Sequence, residues 1–294
     1  MFEQTIKSRV EVTGVGLHSG EPIRLILEPA SEGSGIEFIH ALSGTTIKLH
    51  PQNITQTKLA TTLGAAPNSI STIEHFLSAI YAYGIDNLRV YVYGNEMPIM
   101  DGSAISFCML LDEAKIQRQS KPKSFMVITK EIKVEEGNKF AILKPSKRAI
   151  FDFEINFDHP IIGKEHYRFE FSKKAFIEEI ARARTFGFAK DIQYLQSQNL
   201  ALGASLENAI GLDEVSVLNP EGLRFEDEFV RHKILDAIGD MAVLGYSILG
   251  EYSAYASSHD LNHKLTKKLL ESKDAYKILT FDKVKSKELV KVFA

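Results

Sequence analysis

The sequence predicts an α+β fold made of two similar halves, and three observations carry that expectation. Extended runs open each half, an amphipathic helix follows them, and each half closes on a further strand and helix. A polar stretch from Gln117 to Ser124, interrupted by Pro122, separates the halves and reads as a linker. No residue-level repeat is visible, so the likeness lies in the order of elements; it points to duplication of one unit, with domains over residues 1–120 and 125–294.

In the first half, Ile6 to Thr13 and Ile23 to Leu27 are extended runs joined through Gly14, Gly16 and Ser19-Gly20, a hairpin pattern. From Ser71 to Tyr83, Ile73, Phe76, Leu77, Ile80 and Tyr81 recur at helical spacing, and Leu88 to Tyr93 alternates as a strand does. A second helix is expected from Ser103 to Ala114, with Ser103 as its cap. In the second half, strands Ile128 to Val134 and Lys139 to Leu143 flank the turn residues Glu136-Gly137-Asn138. Phe151, Phe153, Ile155 and Phe157 keep a period of two. Tyr167 to Phe171 precedes a helix capped by Ser172 and running through Ile180. A long helix from Glu226 to Leu244, a strand from Tyr246 to Tyr255 and a helix opening near His259 complete the pattern.

Composition narrows the function classes. With 294 residues at 44% hydrophobic composition the chain buries a substantial core, and 35 basic against 38 acidic residues leave a net charge of -3. No overall field favours nucleic acid or an anionic membrane, so an anionic ligand must be held locally. The single cysteine, Cys108, lies in the apolar run Phe107 to Leu111, which suits a buried packing role and a reducing compartment. Met1 to Lys7 lacks the apolar core of a signal peptide, and runs such as Met241 to Gly250 fall short of a membrane span. The expectation is a cytoplasmic protein without stable membrane insertion and without a nucleic-acid partner.

Chemistry concentrates in Phe229 to Asp240. His232 and Asp236 are four apart and share a helix face, with Asp240 one turn further along, an arrangement that suits an imidazole and a carboxylate on one zinc ion, although the spacing taken alone reads as a solvated His/Asp pair. His75 offers a third ligand, and Glu74 beside it offers a proton acceptor for a water attacking a carbonyl. Ser71-x-x-Glu74 equally matches a capping box, and spacing alone leaves both readings of Glu74 open. Taken singly, His259 also reads as a helix start and Thr185 as a turn hydroxyl.

Five blocks, taken together, resemble the signatures of the lipid A deacetylase family. They are Gly14 to Gly20 (GVGLHSG), Ser71 to His75 (STIEH), Pro98 to Ser103 (PIMDGS), Arg184 to Phe188 (RTFGF) and Gly222 to Lys233 (GLRFEDEFVRHK). They fall in family order and span nearly the whole chain.

The resemblance implies two β-α-α-β layers packed with their helices facing and the active site between them. It implies removal of acetate from the 2-acetamido group of UDP-3-O-acyl-N-acetylglucosamine by a zinc-dependent hydrolase, the committed step of lipid A synthesis. His75, His232 and Asp236 then match the zinc ligands, Glu74 the general base, His259 the cationic acid, Asp240 its orienting carboxylate and Thr185 the hydroxyl at the oxyanion. Phe157 and Lys233 match nucleotide contacts. Phe186, Ile192, Leu195, Leu202, Ala209 and Val217 match an apolar passage for the acyl chain, although core packing explains such residues equally well. Relatives carry a basic residue where Ala256 stands, which leaves Lys233 to grip the diphosphate unless Lys264 or Arg231 reaches across. Ferrous iron suits a two-histidine, one-aspartate site as zinc does. A monomer acting on an acylated UDP-sugar is the family expectation.

Overall fold

The computed structural model describes residues 1–280. The final fourteen positions of the expected second domain, 281–294, lie outside the described residues. The first half comprises β1 (Phe2–Ile6), β2 (Val10–Val15), β3 (Pro22–Pro29), β4 (Ile36–His40), β5 (Thr45–Lys48), β6 (Ile54–Gln56), β7 (Thr62–Leu63), α1 (Glu74–Ala82), β8 (Leu88–Tyr93), α2 (Ile105–Ala114) and β9 (Ile116–Pro122). The second comprises β10 (Ser124–Ile128), β11 (Ile132–Glu136), β12 (Lys139–Lys144), β13 (Ala149–Asn156), β14 (Lys164–Glu170), α3 (Lys173–Ala175), β15 (Phe186–Phe188), α4 (Ala189–Ser197), β16 (Ile210–Leu212), α5 (Glu228–Ala242), β17 (Ser247–Tyr255), α6 (His259–Glu271) and β18 (Tyr276–Thr280).

The two main sheets repeat one topology. In the first, β8 lies between β3 (antiparallel) and β4 (parallel), with β2 and β5 outside them. In the second, β17 lies between β12 (antiparallel) and β13 (parallel), with β11 and β14 outside them. Each central strand follows a long helix, α1 or α5, and precedes another, α2 or α6. Strands β10 and β18 extend the second sheet alone. The α+β expectation therefore holds at the level of strand order and direction.

Helices from the two halves meet. All nine residues of α1 are buried, because α1 lies on α5 and against α2, while α6 lies on α5 and on β11 and β12. One apolar cluster runs through both halves, including Phe76, Leu77 and Phe107 from the first and Phe151, Ile234 and Leu235 from the second. On β13 the period of two puts Phe151, Phe153 and Ile155 inward.

Several local expectations change. Gln117 to Pro122 is no loose linker: it belongs to β9, paired antiparallel with β1, and Lys123 after it is buried with Nζ 2.8 Å from Asp86. Polar composition there reflects a two-stranded ribbon with wet faces rather than free chain. Ile6 ends β1, so the hairpin is β2 with β3. The run Ile128 to Val134 divides between the end of β10 and the start of β11. The helix after Ser172 is one α-turn continued by a wider π-turn over Phe176–Ile180, although Ser172 Oγ does accept from Ala175 N at 3.1 Å. The helix expected from Ser103 begins at Ile105, whose N–H donates to Ser103 Oγ at 3.3 Å. Cys108 is buried in the core, and burial pushes its thiol up to about 12.

Contact between α1 and α5 is close enough to exclude a side chain. A Cβ on Gly239 would lie 2.1 Å from the Glu74 carbonyl oxygen and 2.7 Å from its carbon, and neither atom can swing aside. Gly239→Ala therefore destabilises the fold by about 1–3 kcal/mol from overpacking, although alanine is the better helix former. Urea denaturation checks this, and an unchanged or raised midpoint contradicts the tight crossing.

Candidate metal centre

Helix α5 presents His232 and Asp236 on one face, and α1 presents His75 opposite them. Asp236 Oδ1 lies 3.5 Å from His75 Nε2 and 3.4 Å from His232 Nε2, and the two imidazoles stand perpendicular with centroids 4.9 Å apart. Side chains of all three are at most 5% exposed. His232 Nδ1 faces the Ala183 carbonyl at 3.1 Å, which leaves Nε2 as the inward donor. Burial, outweighing the Asp236 carboxylate, brings His232 down to about 3, so it is neutral with a free lone pair. Burial alone would raise Asp236, but positive charge around it, the Lys233 ammonium 2.7 Å away included, more than offsets that and holds the group well below the carboxylate range.

The donor set fits a metal ion. Asp236 Oδ1 is buried without a hydrogen-bond partner among the described residues, an expensive state for a carboxylate oxygen unless a cation fills it. Tetrahedral ligands at zinc-like bond lengths stand ~3.3 Å apart, close to the separations found here. The three residues thus form a buried group able to hold a metal.

Beside them lie a carboxylate and an imidazole. Glu74, 2% exposed, accepts from Thr61 N at 3.1 Å through Oε2, and its Oε1 stands 3.7 Å from His259 Nε2. The capping-box reading of Glu74 fails: Ser71 Oγ turns to the Asn95 carbonyl and α1 has no side-chain cap. Burial raises the Glu74 carboxyl, with His259 and His75 opposing that. His259 Nδ1 is 2.9 Å from Asp240 Oδ2, which also accepts from Asn262 Nδ2 at 2.8 Å. Burial would lower His259, yet the Asp240 and Glu74 carboxylates prevail and raise it to about 9.

These groups open into a cavity of about 420 Å³, whose wall includes Thr185, Phe157, Lys233, Lys139 and Ala256. Lys233 Nζ pairs with Asp236 Oδ2 at 2.7 Å rather than projecting freely. Neither Lys264, paired with Asp260 and Glu136, nor Arg231, paired with Asp227, lines this wall. Leu17, His18, Leu59, Thr185 and Phe186 also line a second, more apolar cavity of about 360 Å³. Of the residues expected in an acyl passage, Phe186, Ile192, Leu195 and Ala209 line it. Leu202 and Val217 do not: Leu202 is 47% exposed with its backbone on His18, and Val217 packs against the core beside Leu212. Leu206, Ile210 and Leu218 complete that wall instead.

The sequence pattern of the UDP-3-O-acyl N-acetylglycosamine deacetylase family matches residues 3–271. The chain belongs to that family. Proteins named UDP-3-O-acyl-N-acetylglucosamine deacetylase from Sulfurovum sp. (strain NBC37-1), Nautilia profundicola and Campylobacter curvus are 59%, 56% and 55% identical to it, each alignment covering 100% of both chains. Among the described residues, no helix is long and apolar enough to cross a membrane.

In this family member the glycine-rich and PIMDGS blocks act as supports. Val15 O accepts from Ile99 N at 2.9 Å, and buried Glu96 accepts from the His18 and Ser19 amides, both at 2.9 Å, and from Thr72 Oγ1 at 3.1 Å. Gly102, at φ +82°, gives its carbonyl to Thr185 N at 2.8 Å; a Cβ there would strike Asn208 O at 2.1 Å. Glu96 and Lys139 escaped sequence reasoning because each is a lone charge whose partners or cavity come from distant segments.

Arg184, 1% exposed, anchors the segment that carries Thr185 into β15. Its Nε donates to Glu228 at 2.9 Å, and its Nη2 donates to the Gly222 carbonyl at 2.7 Å. Arg184→Met strands Glu228, which is 0% exposed, with backbone donors only. The expected loss is about 3 kcal/mol in thermal or chemical denaturation; a loss under about 1 kcal/mol rejects the ion pair as an anchor.

Proposed function

We propose that His75, His232 and Asp236 hold a zinc ion, with ferrous iron as the alternative, and that Glu74, His259, Asp240 and Thr185 carry out hydrolysis beside it. The chain is a UDP-3-O-acyl-N-acetylglucosamine deacetylase by family, a hydrolase releasing acetate from the 2-acetamido group. The observation that carries the site assignment is the partnerless Asp236 Oδ1 facing two imidazole nitrogens in the wall of a cavity.

When bound, the metal supplies Lewis acidity, acidifying a water and polarising the amide carbonyl. Glu74 takes the proton of the attacking water at Oε1, since Oε2 is held by Thr61 N. Thr185, on the cavity wall, donates its hydroxyl to the oxyanion as charge develops there. His259, kept cationic and oriented by Asp240, gives its Nε2 proton to the departing amine. A nucleotide-sugar binding protein that merely uses metal as a staple has no need of this buried acid–base pair.

Binding divides between the two cavities. Phe157 packs against the nucleobase, and Lys233 with Lys139 faces the diphosphate, Lys139 standing in for the charge that Ala256 does not supply. Phe186, Ile192, Leu195 and Ala209 line the acyl passage. On this reading the domains are 1–120 and 125–294, the site lies between them, and the enzyme is a cytoplasmic monomer serving the committed step of lipid A synthesis.

Glu74→Gln keeps the shape of the side chain and removes the proton acceptor. Acetate release from acylated UDP-N-acetylglucosamine falls on the order of 100-fold or more while bound metal, measured by elemental analysis, stays stoichiometric. Near-normal turnover removes Glu74 from the reaction, and wild-type protein that releases no acetate refutes the reading.

The acid role of His259 fixes a sign in the pH profile. With its proton held to about 9 by the Asp240 and Glu74 carboxylates, activity persists through neutrality and falls as alkali deprotonates the ring. Asp240→Asn removes the main stabilising charge but keeps burial, so the alkaline limb of kcat/KM moves to lower pH. An unmoved limb separates His259 from the titration.

A further inference from the structure

Thr61 stands just before β7, 2% exposed, and lines neither of the two cavities described. Its backbone N–H donates to Glu74 Oε2 at 3.1 Å, and its hydroxyl donates to Asp240 Oδ1 at 2.6 Å. Its own carbonyl accepts from Ile73 N at 3.4 Å, next to Glu74 in sequence. Asp240 Oδ2 is taken by His259 Nδ1 and Asn262 Nδ2, while Thr61 is the hydrogen-bond donor found on Oδ1. One residue thus touches the carboxylate on α1 and the carboxylate on α5.

We infer that Thr61 is a positioning residue for the hydrolysis, tying the proton acceptor Glu74 to the Asp240–His259 pair across the two halves of the chain. The inference rests on the deacetylase reading and extends it. A short hydroxyl–carboxylate bond in a dry interior is among the stronger hydrogen bonds, and it fixes the plane of the carboxylate as well as its position. With both Asp240 oxygens occupied from different elements, the His259 ring has one orientation, aimed at Glu74. Removing the hydroxyl leaves Oδ1 buried and unsatisfied, and the carboxylate rotates to recover a partner, carrying the imidazole with it. The substrate cavities are untouched, so the loss falls on the chemical step.

The test compares Thr61→Val, which keeps the branched shape without the hydroxyl, with Thr61→Ser, which keeps the hydroxyl. Acetate release by wild-type enzyme is the control on which the deacetylase reading stands. With that control positive, Thr61→Val lowers kcat by about 10- to 100-fold, the range for a lost hydrogen bond to a buried charge. KM stays within about 3-fold of wild type. Metal content stays stoichiometric, and Thr61→Ser recovers most of the rate. In an Asp240→Asn background the valine substitution costs less than about 3-fold, because the two residues act through one bond. Should Thr61→Val not fold, Thr61→Ala enters the same comparisons. A kcat within 2-fold of wild type, a serine variant as slow as the valine variant, or an undiminished loss in the Asp240→Asn background each overturns the assignment and leaves the deacetylase reading intact.

Discussion

Everything at this centre depends on how closely α1 and α5 approach. A helix–helix contact normally keeps axes apart by the thickness of the side chains between them, whereas here Gly239 lets one backbone rest on the Glu74 carbonyl of the other. That contact sits at the first residue of α1 and one turn past Asp236 on α5. It brings His75 within reach of His232 and Asp236, and it leaves Glu74 beside the Asp240–His259 pair. A bulkier residue at 239 would separate ligands that neither helix could assemble alone. The glycine is thus a condition of the site even though it contributes no atom to it.

Such an approach buries six ionisable side chains, Glu74, His75, His232, Asp236, Asp240 and His259, none more than 9% exposed. Isolated buried charges are prohibitive, so the arrangement has to be mutually neutralising. Asp240 is satisfied by a hydroxyl, an amide and an imidazolium. Asp236 Oδ2 is satisfied by Lys233. What remains is Asp236 Oδ1, His75 and His232, a set of two imidazoles and a single carboxylate oxygen that suits a cation. Support extends outward in the same manner: Arg184 with Glu228 fixes the segment of Thr185, and Glu96 fixes the His18 loop and Thr72.

How much of this could be read in advance depended on distance along the chain. His232, Asp236 and Asp240 are one helix turn apart, so their shared face follows from periodicity alone. Period two on β13 and the short alternation of Leu88 to Tyr93 were legible for the same reason. Glu74 was ambiguous because a capping box and a carboxylate facing a metal site share one local pattern; only the turn of Ser71 toward Asn95 removes the cap reading. The segment from Gln117 to Pro122 misled because its partner strand lies at the opposite end of the half. Thr61 and Glu96 were invisible, since the contacts from Thr61 to Asp240 and from Glu96 to His18 join segments far apart. In the region from Ala189 to Leu218, composition could announce an apolar wall but could not choose Leu206 and Leu218 over Leu202 and Val217.

Backbone strain follows the same map. Leu59, Thr72 and Ala256, at φ of +65°, +57° and +47°, are non-glycine residues in the left-handed region, and all three line the polar cavity. Each such residue costs about 1–2 kcal/mol, which the surrounding structure has to offset. Thr72 is held by Glu96, and Ala256 is held by its N–H on the Glu154 carbonyl at 2.8 Å. Leu59 also stands where the polar cavity passes into the apolar one, a junction it shares with Leu17, His18, Thr185 and Phe186. On the proposed reading, a substrate with a charged nucleotide at one end and an acyl chain at the other is gripped at both, away from the bond that breaks. Binding energy gathered at those ends is then available to seat the amide against Glu74 and Thr185, which is how remote contacts lower a chemical barrier.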